Sequence, residues 1–161
     1  MSNAIFLKVD SAPGTSKIKG HDKEIELESY SFGGSQLSNQ AQGGGAGSGK
    51  VSFQDFHFTA KAGEESPNLF LFMCNGFHIP KVVLSCEKAG GDATVKFLEI
   101  TLEDCFVTSF SMSDHAGGPD PSGSYSLNFS KCKFKYTGQT DKGAAGASKE
   151  TGWDAKVNTK Y

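Results

Sequence analysis

The stretch of the sequence that most resembles a chemical motif is GGGAGSGK at residues 43–50, which completes the pattern G-x-x-x-x-G-K from Gly44 through Gly49 to Lys50. Glycines in such a loop let backbone N–H groups wrap a phosphate, and the lysine reaches its outer oxygens. The same chemistry needs a hydroxyl next in line for magnesium, a buried strand before the loop and a helix after it. Residue 51 is valine, the preceding QLSNQAQ is not an apolar strand, and the following KVSFQDFHFT alternates as a strand. The context speaks against a nucleotide cradle, and the glycines read as a flexible hinge ahead of a strand.

Other reactive side chains are scattered. His21, His57, His78 and His115 show no metal-ligand spacing such as H-E-x-x-H. His115, beside Asp114 in a loop rich in Gly and Pro, reads as a surface residue. There is no G-x-S-x-G nucleophile elbow. Cys74, Cys86, Cys105 and Cys132 form no C-x-x-C pair, so neither a zinc ribbon nor a thioredoxin-like site is expected. Three of them, Cys86, Cys105 and Cys132, fall in strand-like runs, where cysteine behaves as a small hydrophobe and stays a free thiol. Glu24, Glu26 and Glu28 alternate along one expected strand, and Glu64-Glu65 precede an expected helix. A glycosidase pair must face each other across a substrate, whereas three carboxylates on one strand face read as a solvated surface. No catalytic residue, metal ligand or cofactor is assigned, and the chain is not expected to be an enzyme.

At 161 residues the chain fits a single domain, long enough to bury about two-thirds of its unfolded surface. Its 18 acids and 16 bases leave a net charge of −2, so no strong field draws it to nucleic acid or membrane. All of the bases are lysine, and the absence of arginine removes the usual reader of guanine edges. No apolar run approaches the roughly 18–20 residues of a membrane helix. The opening MSNAIFLKVD lacks the basic, apolar and small-residue regions of a secretory signal, so folding in the cytoplasm is expected.

The elements that position these residues are mostly strands, because the dominant apolar period is two. Ile5, Leu7 and Val9 share a face, as do Val82, Leu84 and Cys86. From Leu98 to Met112, the side chains of Leu98, Ile100, Leu102, Phe106, Phe110 and Met112 are expected on one side, with Glu99, Thr101, Glu103 and Ser109 on the other. In YSLNFSKCKFKY the alternation slips near Ser130–Lys131, which a β-bulge would absorb; Lys131, Lys133 and Lys135 then form a solvated face. Trp153, Ala155 and Val157 alternate at the end of the chain. One helix is expected over about 67–74, with Ser66 as cap, Pro67 in the first turn and Asn75-Gly76 as a left-handed stop. The stretches 38–49, 113–124 and 137–152 read as loops. Two runs break the simple pattern. In EIELESYSFGG, Ile25 and Leu27 alternate with the acids, yet parity would then put Ser29 and Ser31 on the apolar side. Either a bulge intervenes, or the strand leaves one environment for another, with Tyr30 and Phe32 buried and Ser31 facing an open polar space. In KVSFQDFHFT aromatics occur in both parities, as expected either of a strand that meets a neighbouring subunit or of one buried on both faces within a single barrel.

The blocks IFLKVD, H-x-x-E-I-E-x-x-S-Y-S-F-G from His21, GGGAGSGKVSFQDFHFT, SPNLFLFMCNGFHIP, KAGG from Lys88, FLEITLEDCFVTS, SLNFSKCKFKY and GWDAKVN occur in that order. Together they resemble the Hcp family, the haemolysin-coregulated tube proteins of bacterial type VI secretion systems, from Ile5 to about Asn158. Tyr30 and Phe32 stand where tryptophans are common in that family, and the 113–124 loop is this chain's own.

The resemblance implies one mainly β domain over 1–161, a compact β-barrel of two antiparallel sheets with a short flanking helix and an extended loop over about 42–59. It further implies a homohexameric ring with a wide pore. Such rings stack into a tube inside a contractile sheath beneath a spike, are driven out of the cell without a signal peptide, and carry small effector proteins in the lumen. Carried over by position, Ser31 falls on the pore wall as an effector contact. Gln42, Gly43, Gly44, Gly45, Gly49, Lys50, Val51, Phe53, Gln54, Asp55 and Phe56 fall on the loop that reaches neighbouring subunits and rings. No nucleic acid, membrane insertion or cofactor is implied. The alternative is a monomeric small β-barrel that carries a ligand or acts as an enzyme, which would need polar groups converging inside the barrel. A pilin-like module would need a signal peptide and a donor strand.

Overall fold

A computed structural model describes residues 3–36, 50–90 and 93–161. Among these, the strands are β1 (Ala4–Val9), β2 (Ile25–Glu26), β3 (Ser29–Ser31), β4 (Gly34–Gln36), β5 (Val51–Phe53), β6 (Phe56–Lys61), β7 (Ile79–Gly90), β8 (Ala93–Ser113), β9 (Ser122–Asn128), β10 (Lys131–Gln139), β11 (Ala145–Asp154) and β12 (Thr159–Lys160). One helix, α1 (Glu65–Asn75), lies between β6 and β7. All strand pairs are antiparallel.

The organising strand is β8, whose 21 residues serve two neighbourhoods. Its first half pairs with β7 and β10, in the order β12-β11-β10-β8-β7-β1-β2. Its second half pairs with β9, which continues to β6 and β3. On the far side, residues 25–31 cross between the same two layers: Leu27 N–H donates to Ile5 C=O and Glu28 N–H to Thr59 C=O. The ladder is interrupted at Leu27–Glu28, so the sheet does not close into the barrel expected from the sequence. The environment switch, rather than a bulge, accounts for the EIELESYSFGG anomaly, with Tyr30 and Phe32 packed against the core and Ser31 exposed.

The core between the layers holds Leu7, Ile25, Phe56, Phe58, Leu69, Val82, Leu84, Ile100, Leu102, Tyr125 and Leu127. Phe58 stacks on Tyr125 with ring centroids 4.9 Å apart. Phe110 meets Tyr125 edge-on at 5.3 Å. Helix α1 begins two residues earlier than expected and runs one further, and Ser66 does not cap it. The Ser66 hydroxyl instead accepts the Gly63 N–H at 3.1 Å and lies 3.1 Å from the Tyr125 hydroxyl, tying the first turn to β9. The expected stop holds: Gly76 adopts φ 69° and its N–H donates to Phe72 C=O.

Several expectations are corrected. Asn128 ends β9 and Lys131 begins β10 in the other layer, so the slip near Ser130–Lys131 is a change of sheet and not a bulge. Phe134 and Tyr136 share the face of buried Cys132, opposite Ile100 and Leu98, but are 41% and 50% exposed. Much of 137–152 is strand: β10 and β11 pair from Lys131↔Asp154 to Gln139↔Ala145, because backbone pairing on this outer ribbon asks little of the side chains. The loop over 38–49 falls among residues outside the described ones. Glu24 is not on a solvated face. It is buried with His21 and Glu87, and each ring nitrogen of His21 faces a carboxylate, Nδ1 to Glu24 at 2.9 Å and Nε2 to Glu87 at 2.5 Å. The imidazole also stacks on Phe6 with centroids 3.9 Å apart. This cluster fastens the β1–β2 connection to β7.

A bend at Asp104 lets β8 pass between the layers. Asp104 takes φ 61°, which alters the face alternation; Cys105 and Val107 are buried and Phe106, expected inward, is exposed. The Asp104 carboxylate accepts hydrogen bonds from Lys156 Nζ at 2.5 Å, Ser130 Oγ at 2.8 Å and His78 Nε2. Those donors, the lysine foremost, hold its carboxyl well below the usual range.

Two outcomes follow. Replacing His21 by alanine strands two buried carboxylates and should cost about 3–5 kcal/mol, read from chemical denaturation; a loss below about 1 kcal/mol would contradict the clasp. For Asp104 the folded carboxyl titrates below the unfolded one. Its contribution is complete above the unfolded value of about 3.9 and lost as pH falls towards the folded value. Asp104→Asn should therefore lower stability at neutral pH, with the gap to the parent narrowing below about pH 4. A gap unchanged by acid would contradict this assignment.

Candidate functional site

Strand alternation makes the outer surface of the β3-β6-β9-β8 layer a separate chemical object from its core side. The side chains pointing inward are Tyr30, Phe56, Phe58, Tyr125, Leu127, Val107 and Phe110. Those between them point outward, and the register aligns them into rows. Ser29, Thr59, Ser124 and Ser111 form one row across four strands. Ser31, His57, Ser126 and Ser109 form the next, and Lys61, Ser122 and Ser113 the third.

The rows make a surface of short hydroxyls joined laterally. Ser29 Oγ lies 2.6 Å from Thr59 Oγ1. His57 sits at the centre, its Nδ1 3.2 Å from Ser126 Oγ and its Nε2 3.1 Å from Ser124 Oγ. A neutral imidazole can donate to one hydroxyl and accept from the other, so both partners are satisfied. Charge is confined to the margins. Ser122 Oγ donates to Glu28 at 2.8 Å on one side. On the other, Asp55 accepts from Thr108 Oγ1 at 2.7 Å and from Asn128 Nδ2 at 3.3 Å.

Ser31 thus belongs to an extended hydroxyl face that sequence reading reduced to one residue. The missed members are Ser29, His57, Thr59, Ser109, Ser111, Ser124 and Ser126. Their signal was present as every-other-residue hydroxyls in SYS, HFT, SFSMS and SGSYS. The alternation that identified the aromatic core implies them.

The residues expected on the extended loop divide differently. Gln42, Gly43, Gly44, Gly45 and Gly49 lie outside the described residues. Lys50 is exposed ahead of β5. KVSFQDFHFT is not one strand: β5 pairs with β4, Gly34 opposite Phe53 and Gln36 opposite Val51, while β6 joins the hydroxyl layer. The turn between them exposes Gln54 and Asp55, and Gln54 N–H donates to Gly33 C=O at 2.9 Å. Phe56 is fully buried, so its side chain faces the core of its own chain. Phe53 and Phe32 instead anchor the β4–β5 hairpin, through ring contacts of 6.4 Å with each other and 5.4 Å from Phe53 to Phe129.

Among the described residues no group of three or more His, Cys, Asp or Glu side chains could hold a metal ion. Among the described residues no helix is long and apolar enough to cross a membrane. Nothing in the layer aligns a nucleophile, a base and an orienting group.

Comparison with known proteins gives a consistent result. Residues 6–136 match the family model described as type VI secretion system effector, Hcp. The chain is 35% identical over 159 residues to Protein hcp1 of Pseudomonas aeruginosa, covering 98% of each. It superposes on the crystal structure of Hcp1 from Salmonella typhimurium with a TM-score of 0.83 and 33% identity, spanning 100% of both chains. A structure described as a type six secretion system protein shares the fold at a TM-score of 0.92 and 23% identity, covering 99% of this chain and 100% of that one. With a family model spanning most of its length and a relative of this identity end to end, the chain belongs to the Hcp family of type VI secretion proteins.

Proposed function

We propose that the chain is the structural subunit of a type VI secretion tube, forming homohexameric rings that stack, carry small effector proteins in the pore and are expelled from the cell. The observation that carries this reading is the hydroxyl face. It is polar with charge only at its margins, it spans four strands, and its rear is locked by Phe58 and Tyr125. A tube wall must stay wetted and rigid while exerting little grip on what moves along it. Short hydroxyls meet those demands, since they exchange hydrogen bonds with water or cargo at small net cost.

The same layer supports this reading over a monomeric carrier or enzyme. Such a protein would place its polar groups in a central cavity. Here the space between the layers is filled by Leu84, Ile100, Tyr125 and Phe58. In the proposed ring Ser31 and its row face the lumen. Lys50, Val51, Phe53, Gln54 and Asp55 lie on the arm towards the next subunit or ring, with Gln42, Gly43, Gly44, Gly45 and Gly49 as its hinge and Phe56 as its inward anchor. The contractile sheath would surround the tube and the spike would cap it. Folding in the cytoplasm would precede ejection through the secretion machine.

Two experiments test this. Light scattering should find a species of about 100 kDa, six copies of the 17.1 kDa chain, with six-fold rings in negative stain. A monomer at high concentration would overturn the assignment. Ser31→Arg changes an exposed position, so stability should move by less than about 0.5 kcal/mol and rings should persist, while cargo retained by the rings falls. Cargo loading equal to the parent would remove Ser31 from the contact surface.

A further inference from the structure

A second feature lies beyond the margin of the hydroxyl face and has no place in ring assembly as described above. A cavity of about 580 Å³ opens between residues 15–17, residues 25–28, the end of β6 and the start of α1. Its lining combines the apolar Ile25, Leu27 and Ala62 with Thr15, and carries three carboxylates, Glu26, Glu28 and Glu65, against two ammonium groups, Lys17 and Lys61.

Glu65 is the unusual member. It is only 2% exposed, yet its Oε2 has no hydrogen-bond partner among the described residues. Buried polar atoms are nearly always satisfied, and a buried carboxylate oxygen left alone costs more than a neutral one. The backbone of Gly63 packs closely against it. A Cβ placed on Gly63 would fall 2.5 Å from Glu65 Oε2 and 2.5 Å from Thr15 Oγ1, so the two oxygens lie on the same side of this glycine and leave no room for a larger residue there. Thr15 Oγ1 already accepts the Glu64 N–H at 3.2 Å, which fixes its position. Neither Lys17 nor Lys61 forms an ion pair among the described residues, so no described residue pairs with the carboxylate of Glu65.

We propose that this cavity binds one alkylammonium group, with Glu65 Oε2 and Thr15 Oγ1 as its acceptors and Ile25, Leu27 and Ala62 against its carbon stem. A single orphan oxygen suits the compact, rotatable donors of an ammonium better than the fixed fork of a guanidinium, which seeks two oxygens at once. A divalent cation is poorly served, since no cluster of three ligating acids or histidines exists among the described residues. The shared chemistry is that of a lysine side chain on another polypeptide and of a free diamine. The site is lined by residues of a single chain.

Protonation provides an internal check. Burial, aided by neighbouring Glu64, pushes the Glu65 carboxyl above its ordinary range against the opposing effect of its own backbone N–H. A bound cation favours the ionised form, so binding should expel a proton and strengthen as pH rises, while the alkylammonium keeps its charge throughout.

The test is titration calorimetry of the full chain with N-acetyl-lysine methylamide, with putrescine, and with the uncharged isostere N-acetyl-norleucine methylamide. Both amines should bind saturably and the isostere should not. Tighter lysine binding would identify a polypeptide side chain as the source, and tighter putrescine binding a free amine. Glu65→Gln should weaken amine binding at least about tenfold, as expected when a charged acceptor is lost. If that variant does not fold, the parent alone decides: affinity should rise as pH is raised above the ordinary carboxylate range, with proton release seen as heats that vary with buffer. Equal binding of the isostere, an unweakened Glu65→Gln variant, or affinity independent of pH would overturn the proposal.

Discussion

The architecture depends on how a strand of 21 residues is accommodated. Strands twist right-handedly, and one this long cannot keep the same neighbours along its length without turning away from them. In β8 the turn is concentrated at Asp104, whose positive φ is tolerable for aspartate because its short side chain can bond locally. Here the bonds come from Lys156, Ser130 and His78, from three separate parts of the chain. One bend thereby creates both layers, closes the core between them and decides which side chains of β9 and β6 face out. The hydroxyl face is as much a product of that bend as the core is.

The crossing at residues 25–31 completes the arrangement from the opposite side. The chain leaves β1 at Leu27 and joins β6 at Glu28, exchanging a pairing with Ile5 for one with Thr59. Before the crossing, Ile25 and Leu27 fill the core; after it, Tyr30 does so, and the outward positions pass from glutamate to serine. The His21–Glu24–Glu87 cluster lies just ahead of the crossing and holds its approach. A buried polar clasp of this kind contributes little net stability beside an apolar equivalent, but once present it penalises any register that breaks it.

How much of this was legible in the sequence depended on whether one element governed the pattern. The core faces of β1, β7 and the first half of β8 were read correctly because each residue there keeps one environment. Helix α1 was found from Pro67 and Gly76, although Ser66 turned its hydroxyl towards Gly63 and β9. Parity failed at Phe106 after the bend, and at Glu24 beside a histidine 66 positions before Glu87. Such contacts are set by distant partners, which local alternation cannot encode. For the hydroxyl face the lesson differs. Ser31 stands out through the family resemblance and the parity break beside Tyr30 and Phe32, while the alternating hydroxyls of β8 and β9 resemble ordinary solvated strand.

The placement of the thiols has a practical consequence. Cys86, Cys105 and Cys132 are buried, and burial lifts all three thiols, Cys105 to about 12. Because the thiolate is the reactive species, these three are protected twice, by access and by protonation. Cys74 alone is exposed, near the end of α1 and on a different element from every strand of the hydroxyl face. A maleimide dye or spin label offered to the folded protein therefore has a single address, and no cysteine need be removed to make it so.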